Sequence, residues 1–564
     1  MPKRVAITIA GAVSLGSYEA GVLYELLRAF RINNDEAGND ETKKIYIDVI
    51  TGASAGAMTA AMVAKALIYD PASLNGELTN PLYKAWVEEI SLLGLAKMKW
   101  SEPKWHSLFS SDLIARIGDE KLVKITRNGD GNPHATIDKK SEDPILLRLG
   151  MALTNLGGID YMIRIEGNDD GGFNYTTSLD QKTFGLTHEN VVELLPKNAQ
   201  HPCKWEEVCL AAIGSGAFPA AFRPQAITHK AAEYGVALPK EEKDWKEGEI
   251  YVDWRKKSTD SPFAHSDGGI LQNQPLGIAK NLVDEAVNAR GGGVCDSDER
   301  LYVFVAPHSV KSSAQQLDAD KITIWHELKL LFSVFRRQAM FHDWITAEQM
   351  NRNITILDLR AGQLKGAIEA SRIKDLDGLE KAAKQLNDLL MGGNHEDRVN
   401  RLRAQYSGEY SALLKKGEAA ANGFIEAIAT LEAAAQLNDH DQMNIIAVIA
   451  NEKTQLMGSG FAAFVGFFNK KFREHDYWMG RKLAKKYLRR GDVKKILGIT
   501  DWPEEVEVDL DPDDPTGLTP PPGPLLLLRS GFWPLIIMIA IRPAMWGIPA
   551  LVAFGIWALI HFYH

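Results

Sequence analysis

The sequence predicts an α/β protein in which a parallel-rich sheet is flanked by helices. The first part of the chain reads as strand, small-residue loop, helix, strand, tight turn and helix, an order typical of a parallel sheet. A later apolar run, Leu301–Ala306, has the composition of a strand buried on both faces. At 564 residues the chain exceeds one ordinary hydrophobic core, so more than one structural unit is expected.

The first strand is predicted at Val5–Ile9. The helix after its loop is predicted at Tyr18–Ile32, where apolar residues recur at helical spacing. A short signal peptide is the alternative interpretation of this segment. We favour the strand because the apolar run is short, and because Tyr18 and Glu19 stand where a cleavage region would lie.

The loop between this strand and helix is rich in small residues. It contains no G-x-G-x-x-G pattern for a dinucleotide and no Gly-Lys-Ser/Thr ending for a P-loop. A small-residue turn at a helix start can instead present backbone N–H groups to a developing anion. The predicted oxyanion hole consists of the N–H groups of Gly11, Ala12, Val13 and Ser14.

The second strand, Ile45–Ile50, leads into the turn Gly-Ala-Ser-Ala-Gly, which fits the G-x-S-x-G nucleophile elbow. A small-residue helix is predicted after it, from Ala57 to about Leu67. The strand-to-helix reversal leaves no room for Cβ atoms beside the nucleophile, which explains Gly52 and Gly56. Ser54 is the candidate nucleophile, at a helix start where N–H groups and the dipole favour a developing anion.

A candidate general base follows a further strand-like segment, Ile250–Asp253. Asp267 places a carboxylate on a sharp turn, and Gly268 and Gly269 let that backbone approach another segment closely. A carboxylate within about 2.6–3.2 Å of a serine hydroxyl can accept its proton directly.

A histidine base, as in Ser-His-Asp hydrolases, is the alternative. His265 and His308 both follow strand-like runs, and His308 could serve in that role. Spacing along the chain does not by itself pair Ser54 with any of these side chains.

Composition excludes several classes of function. A net charge of −9 argues against a general nucleic-acid binder. The three cysteines, Cys203, Cys209 and Cys295, have no metal-binding spacing and indicate a reducing compartment with buried, inert thiols. No HExxH or CxxC motif is present, so we expect neither a metal ion nor another cofactor.

Beyond about Ala314 the sequence changes to long helical periodicity. The predicted helices are Ile322–Glu348, Lys374–Met391, Glu396–Ala435 and Asp441–Leu488. An acidic, proline-rich stretch, Asp501–Pro524, predicts a flexible linker. We therefore expect four units, namely an α/β domain at 1–312, a helical region packed on or appended to it at 313–498, a linker at 499–524 and a hydrophobic membrane anchor at 525–564.

The predicted anchor is apolar apart from Arg529 and Arg542, and its stretch Ala544–Tyr563 reaches the roughly 20 residues that a helix needs to cross a bilayer. An arginine at the bilayer centre costs about 2.5–3.5 kcal/mol, so Arg542 belongs at an interface. The basic stretch Lys470–Lys495 predicts, by the positive-inside rule, that the globular part faces the cytoplasm. A buried core helix or a partner-binding helix is the alternative.

Four blocks of the chain resemble the patatin-like phospholipases, in that family's order. They are the glycine loop with Gly16 and Gly21-Val22-Leu23, the elbow 52–56, the segment Ser215–Pro219, and Asp267-Gly268-Gly269. Ser107–Ser110 and Phe472–Arg481 are similar to the family less specifically. The resemblance implies an α/β fold and a Ser54–Asp267 dyad, with Gly16, Gly52, Gly56, Gly268 and Gly269 as motif glycines.

The resemblance further implies a lipid acyl hydrolase of the phospholipase A type, which cleaves ester bonds of membrane glycerophospholipids through an acyl-enzyme. The chain departs from the family where Ala12 and Val13 replace glycines and where Leu15 replaces a basic residue. Backbone N–H groups remain available in that loop. A neutral-lipid lipase, a thioesterase and a weakly active membrane-tethered scaffold are the alternatives.

Overall fold

The structure, a computed structural model, describes residues 2–96, 107–124, 132–163, 173–196, 199–239, 250–253, 262–290, 300–307, 349, 351–391, 395–434, 443–450, 456–459, 463–507 and 516–518. Several predictions lie outside these residues, among them the helix Ile322–Glu348, His308, Cys295, most of the linker and the whole anchor 525–564. Within the described residues, no helix combines the length and the apolar character that a membrane span requires.

Twelve strands of the described chain form one sheet. Their bounds are β1 Lys3–Ile9, β2 Ile45–Gly52, β3 Leu147–Ile163, β4 Phe173–Leu186, β5 Val191–Leu195, β6 Ala199–Pro202, β7 Gln225–Thr228, β8 Val236–Ala237, β9 Ile250–Val252, β10 Pro262–Asp267, β11 Arg300–Ala306 and β12 Ile445–Ile449. The main path runs β12-β11-β1-β2-β3-β4-β5-β6, while β10 joins β3 to β7 and β9 joins β3 to β8.

The sheet is mixed, which corrects the prediction of a parallel-rich sheet. Strands β12, β11, β1, β2 and β3 run parallel, as expected from the strand–loop–helix order. Strands β4, β5 and β6 continue the sheet antiparallel, and β9 and β10 also pair antiparallel with β3. The long β3–β4 hairpin was not predicted, because its outer half alternates between buried and exposed residues and has no continuous apolar run.

The helices form layers on both faces of the sheet. Their bounds are α1 Gly16–Ala37, α2 Ala55–Tyr69, α3 Pro81–Tyr83, α4 Leu92–Ala96, α5 Asp112–Gly118, α6 Trp205–Ser215, α7 Leu276–Ala289, α8 351–369, α9 Leu376–Met391, α10 His395–Gln405, α11 Ser407–Leu414, α12 Glu418–Ala434, α13 Lys470–Leu488, α14 Gly491–Leu497 and α15 Glu504–Glu507. Alternate residues of β1 face opposite sides, so Val5 and Ile7 pack in the core with α1, α2 and α13, whereas Ala6 packs in the core with α7. The result is a three-layer α/β architecture.

The second half of the chain differs from its predicted helices in two places. The helix predicted over Asp441–Leu488 is wrong at its start, because Ile445–Ile449 forms β12 beside β11. A short apolar β-branched run is ambiguous between helix and strand, and the periodicity could not separate them. The helix predicted over Glu396–Ala435 is three helices, α10 to α12. With α8 and α9 these helices enclose a separate apolar core around Phe424.

Helix α13 packs directly on α1, so the region predicted as helical contributes to the α/β core. A Cβ added at Gly21 would lie 2.0 Å from the Tyr477 carbonyl oxygen, and one at Gly480 would lie 2.1 Å from the Tyr18 carbonyl oxygen. The two glycines therefore allow the helix backbones to approach closely. The Arg481 Nε donates to Glu25 Oε1 at 2.6 Å across the same contact.

The predicted linker, residues 499–524, starts too early in the chain, because its first residues are folded. Trp502 is buried, its ring stacks on Phe30 with centroids 6.4 Å apart, and its Nε1 donates to the Leu488 carbonyl at 2.7 Å. Residues 499–507 thus belong to the folded part of the chain, because an indole with a satisfied N–H is a strong apolar anchor.

Candidate active site

Ser54 lies between β2 and α2 on a strained turn. Its φ is +54° and its ψ is −126°, a conformation that side chains rarely adopt and that is concentrated at functional sites. A Cβ added at Gly52 would lie 2.3 Å from the Gly56 carbonyl oxygen, and one at Gly56 would lie 2.5 Å from the Ala10 carbonyl oxygen. Both glycines are therefore required sterically, as the elbow motif predicts.

The structure brings Ser54 and Asp267 together. The Ser54 Oγ donates to Asp267 Oδ2 at 2.7 Å, and the two residues are only 6% and 2% exposed. The Gly269 N–H donates to Asp267 Oδ1 at 2.7 Å, and the Thr154 hydroxyl donates to the Asp267 carbonyl at 2.8 Å. The carboxylate is thus held in place, with one oxygen facing the serine hydroxyl. This distance allows direct proton transfer.

Ser215 fixes the backbone of the elbow. Its Oγ accepts a hydrogen bond from the Ser54 N–H at 2.9 Å and donates to the Ala152 carbonyl at 2.7 Å. The sequence placed Ser215 in a motif without giving it a role. The structure shows a buried hydroxyl that links the elbow to β3.

We expect Ser215→Ala to lower the free energy of unfolding by about 1–3 kcal/mol, because the substitution leaves the buried Ser54 N–H and Ala152 carbonyl unpaired. Urea denaturation of the full chain measures this loss. Ser73→Ala is the matched control, since the Ser73 hydroxyl only caps a half-buried turn through the Asp70 carbonyl. Equal losses in the two variants would contradict the assignment.

The prediction of four oxyanion-hole donors needs one correction. The Gly11 N–H donates to the Asn273 carbonyl at 3.1 Å and is not available to an oxyanion. In the described part of the chain, the N–H groups of Ala12, Val13 and Ser14 donate to no carbonyl or side chain. Val13 has a φ of +53°, a second strained residue beside the elbow. The candidate donors are therefore these three N–H groups.

Residues 457–459 and 463–476 pack against this loop and support it. The Ser14 hydroxyl donates to the Ala463 carbonyl. Asp476 on α13 accepts from the N–H groups of Met457 and Gly458 at 2.7 and 2.8 Å. A Cβ added at Gly458 would lie 2.8 Å from the Leu15 side chain. The family-like block in α13 thus holds the segment against which the loop packs.

His265 is not the base of Ser54. It is fully buried, and its Nε2 lies 2.9 Å from Asp180 Oδ2 while its Nδ1 lies 3.0 Å from the Phe263 carbonyl. Both ring nitrogens are therefore engaged away from the elbow. The other histidine considered, His308, lies outside the described residues.

Asp180, His229 and His265 form a second buried cluster, and their potential ligand atoms all lie within 4.8 Å of one another. Burial by itself raises the pKa of Asp180, but the hydrogen bond from His265 and the charges of both histidines outweigh burial and hold this pKa below its usual value. The sequence predicts no metal site. Nothing in it marks this cluster, because the three residues lie in separate segments and form no local motif.

An apolar cavity adjoins Ser54. One part, of about 30 Å³, is lined by Val13, Ala55 and Gly216 at its elbow end. A second part, also of about 30 Å³, extends to Leu122. Both parts have Met58, Trp86, Ile90 and Ile114 in their lining. The cavity thus begins at Ala55, the residue after Ser54.

The described cysteines behave as inert thiols. Burial raises the pKa of Cys209, at the inner end of the cavity, to about 11, and it raises the pKa of Cys203 to about 12. Both side chains are therefore protonated at neutral pH and are poor nucleophiles. Ser54 is therefore the candidate nucleophile of this region.

The fold and the site define a class: α/β proteins in which a nucleophile elbow presents a serine hydrogen-bonded to a buried aspartate. The family model of the patatin-like phospholipases matches residues 7–280, which include the elbow, Ser215–Pro219 and Asp267. The resemblance seen in the sequence is thus confirmed for residues 7–280, which match the model of the patatin-like phospholipase domain. At the level of the family, this supports a lipid acyl hydrolase.

One curated relative is similar over a larger part of the chain. The uncharacterized protein y4iI of Sinorhizobium fredii (strain NBRC 101917 / NGR234) is 25% identical over 356 residues, which cover 54% of this chain and 49% of that protein. The chain therefore spans about half the length of this relative. Its printed name assigns no activity that could refine the family-level assignment.

Proposed function

We propose that the protein is a serine-dependent lipid acyl hydrolase of the phospholipase A type, which cleaves ester bonds of membrane glycerophospholipids. The observation that carries this proposal is the 2.7 Å hydrogen bond from Ser54 Oγ to Asp267 Oδ2 at a strained elbow. The apolar cavity beside Ser54 supports an acyl chain as the group that enters the site. Ligand pockets are lined mostly by apolar side chains, as both parts of this cavity are.

In the proposed reaction, Asp267 Oδ2 takes the proton of Ser54 Oγ as that oxygen attacks the ester carbonyl. The carbonyl oxygen becomes an oxyanion, which the N–H groups of Ala12 to Ser14 stabilise. The tetrahedral intermediate collapses, the C–O bond to the alcohol breaks, and the alcohol takes the proton from Asp267. Asp267 then deprotonates a water molecule, whose oxygen attacks the acyl-enzyme. The bond between the acyl group and Ser54 Oγ breaks, Asp267 returns the proton to Ser54 Oγ, and the fatty acid is released.

The test uses purified full-length protein and its Ser54→Ala variant with mixed phospholipid vesicles, and it measures fatty acid and lysolipid by mass spectrometry. We expect release by the wild type and none by Ser54→Ala. Acylglycerol emulsions and acyl-CoA are tested in parallel. Hydrolysis of only one of these would instead assign a neutral-lipid lipase or a thioesterase.

A fluorophosphonate probe separates an enzyme from a scaffold. Such probes react with activated serines, so we expect labelling of the wild type and none of Ser54→Ala. Ser266→Ala is the matched control, since its hydroxyl donates to the Ala217 carbonyl and not to the dyad. Absence of labelling in folded wild-type protein would support a weakly active scaffold.

The cavity gives a prediction about chain length. Met58 is half-buried and lines both parts of the cavity, so Met58→Trp should fill it. We expect kcat/KM for a 16-carbon acyl ester to fall at least about 10-fold relative to a 4-carbon ester, the lower range for a changed apolar pocket. Equal effects on the two p-nitrophenyl esters would show that acyl chains do not enter this cavity.

We also propose that the apolar residues 525–564 attach the protein to a membrane, with the catalytic domain facing the cytoplasm. The support is the apolar sequence and the basic stretch that precedes it. Confinement to the bilayer surface would raise the local concentration of enzyme and lipid for each other. Carbonate extraction compares the full chain with one that ends near Asp514. Equal solubility of the two would refute the anchor.

A further inference from the structure

The cluster of Asp180, His229 and His265 has the geometry of a metal site. Asp180 lies on β4, His229 directly follows β7, and His265 lies on β10. The Nε2 atoms of His265 and His229 lie 2.9 and 3.7 Å from Asp180 Oδ2, and each side chain is at most 1% exposed. Ligands around a tetrahedral zinc at about 2.0–2.1 Å are separated by roughly 3.3 Å, so these two distances bracket the required spacing.

The second nitrogen of each histidine is already oriented. The Nδ1 of His229 lies 2.6 Å from Glu233 Oε2, and the Nδ1 of His265 lies 3.0 Å from the Phe263 carbonyl oxygen. Each Nδ1 faces an acceptor and can hold the proton of a neutral imidazole. A metal ion between the three groups would then accept the Nε2 lone pairs and replace the hydrogen bond between His265 and Asp180. Histidines that bind metals are held in this way, by a carboxylate or carbonyl at the other ring nitrogen.

The surroundings of Asp180 also suit a bound cation. Among the described residues, Asp180 forms no ion pair with a lysine or arginine, and its other partners are neutral donors, namely the Asn155 amide, the Tyr234 hydroxyl and the Gln181 N–H. A buried carboxylate without a cationic partner is strongly unfavourable. In the same part of the chain, the His229 Nε2 is fully buried and has no hydrogen-bond partner. A bound cation would satisfy both groups at once.

We propose that Asp180, His229 and His265 bind one Zn²⁺ ion, which fastens β4 to the paired strands β7 and β10. Two imidazole nitrogens and one carboxylate are a preferred ligand set for zinc, whereas Mg²⁺ and Ca²⁺ prefer oxygen ligands alone. A water molecule is the smallest group that completes the tetrahedron in so buried a site. The burial leaves no access for a lipid, so the ion is structural.

The position of this ion links it to the dyad. Leu153 on β3 is in register with Asp180 on one side and with Asp267 on the other. His265 precedes Asp267 by two residues on β10, so both side chains point to the same face of the sheet. Zinc at His265 would hold the strand that carries the candidate base. The proposal does not depend on which lipid the protein hydrolyses.

Metal analysis of the untagged full chain tests the proposal. After dialysis against metal-free buffer, we expect about one zinc per chain by elemental mass spectrometry, because the three ligands are buried. His229→Gln should contain almost none. His188→Gln is the matched control, because His188 is exposed and belongs to no such cluster, and it should retain the wild-type content.

Wild-type protein without a bound transition metal would overturn the proposal, as would zinc retained at the wild-type level by folded His229→Gln. Another divalent ion at one per chain would overturn the identity of the metal. If His229→Gln does not fold, the metal content of the wild type alone decides between these outcomes. Removal of the ion with a chelator should lower Tm, and stoichiometric Zn²⁺ should restore it. An unchanged Tm would refute the fastening role.

Discussion

Asp267→Asn is expected to lower kcat for ester hydrolysis by about 10²- to 10⁴-fold, the range that a positioned general base contributes. The substitution is nearly isosteric. An asparagine Oδ1 can still accept from the Gly269 N–H, which donates to Asp267 at 2.7 Å in the wild type. Its amide nitrogen, however, faces Ser54 Oγ as a donor and cannot take the serine proton.

The measurement is the steady-state rate with a soluble ester, together with the labelling rate by a fluorophosphonate. Asp160→Asn is the control, because it removes the same charge from β3 at a site where the carboxylate only accepts from Thr176. A folded Asp267→Asn variant with wild-type kcat would exclude Asp267 as the base of Ser54. The base would then have to lie outside the described residues.

Arg300→Met is expected to lower the free energy of unfolding by about 3–5 kcal/mol, the cost of removing one partner from a buried ion pair. Arg300 is fully buried at the start of β11, and its two terminal nitrogens donate to the two Asp48 oxygens at 2.8 and 2.9 Å. Arg290 Nη1 lies 3.0 Å from Asp48 Oδ2 and compensates in part, which places the expected loss at the lower end.

Urea denaturation measures this effect, and the Asp48→Leu/Arg300→Met double variant is the informative control. Replacing a buried pair by apolar residues is often neutral, so the double variant should be more stable than Arg300→Met alone. A single variant as stable as the wild type would show that the pair contributes nothing.

The same pair has a pH signature. Burial raises the pKa of Asp48, but Arg300, followed by Arg290 and Arg4, outweighs burial and holds this pKa well below its ordinary value of 3.8. A lowered pKa in the folded state gives stability that is present above pH 3.8 and is lost as the pH falls below it. In Arg300→Met this acid-dependent loss should be smaller.

The sequence was sufficient to single out Ser54 and Asp267 as candidates, because each lies in a local motif. Ser54 is marked by glycines on both sides of a strand-to-helix turn, and Asp267 by the two glycines that follow it. Their pairing was not accessible from the sequence pattern, since 213 residues separate them, and it came from the family resemblance. The structure supplies the hydrogen bond that joins them.

Features that arise from contact between distant segments were missed. Nothing in the loop sequence indicates that the Gly11 N–H is taken by the Asn273 carbonyl. The Asp180 cluster depends on the register of β3 with β4 and β10, and hairpins of mixed burial give a weak sequence signal. The strand Ile445–Ile449 was assigned to a helix because its apolar run fits either structure.

The place of β12 has a consequence for synthesis on the ribosome. β11 is covered on its outer edge by residues 445–449, and the Tyr18 hydroxyl on α1 reaches the Val448 carbonyl at 3.3 Å. At about 5–20 residues per second, roughly 20 to 90 seconds pass between translation of β1 and translation of β12. During that interval the nascent chain has an unpaired apolar strand edge and an uncovered face of α1. Chaperones that bind such surfaces on nascent chains would therefore have time to bind this protein before β12 completes its sheet.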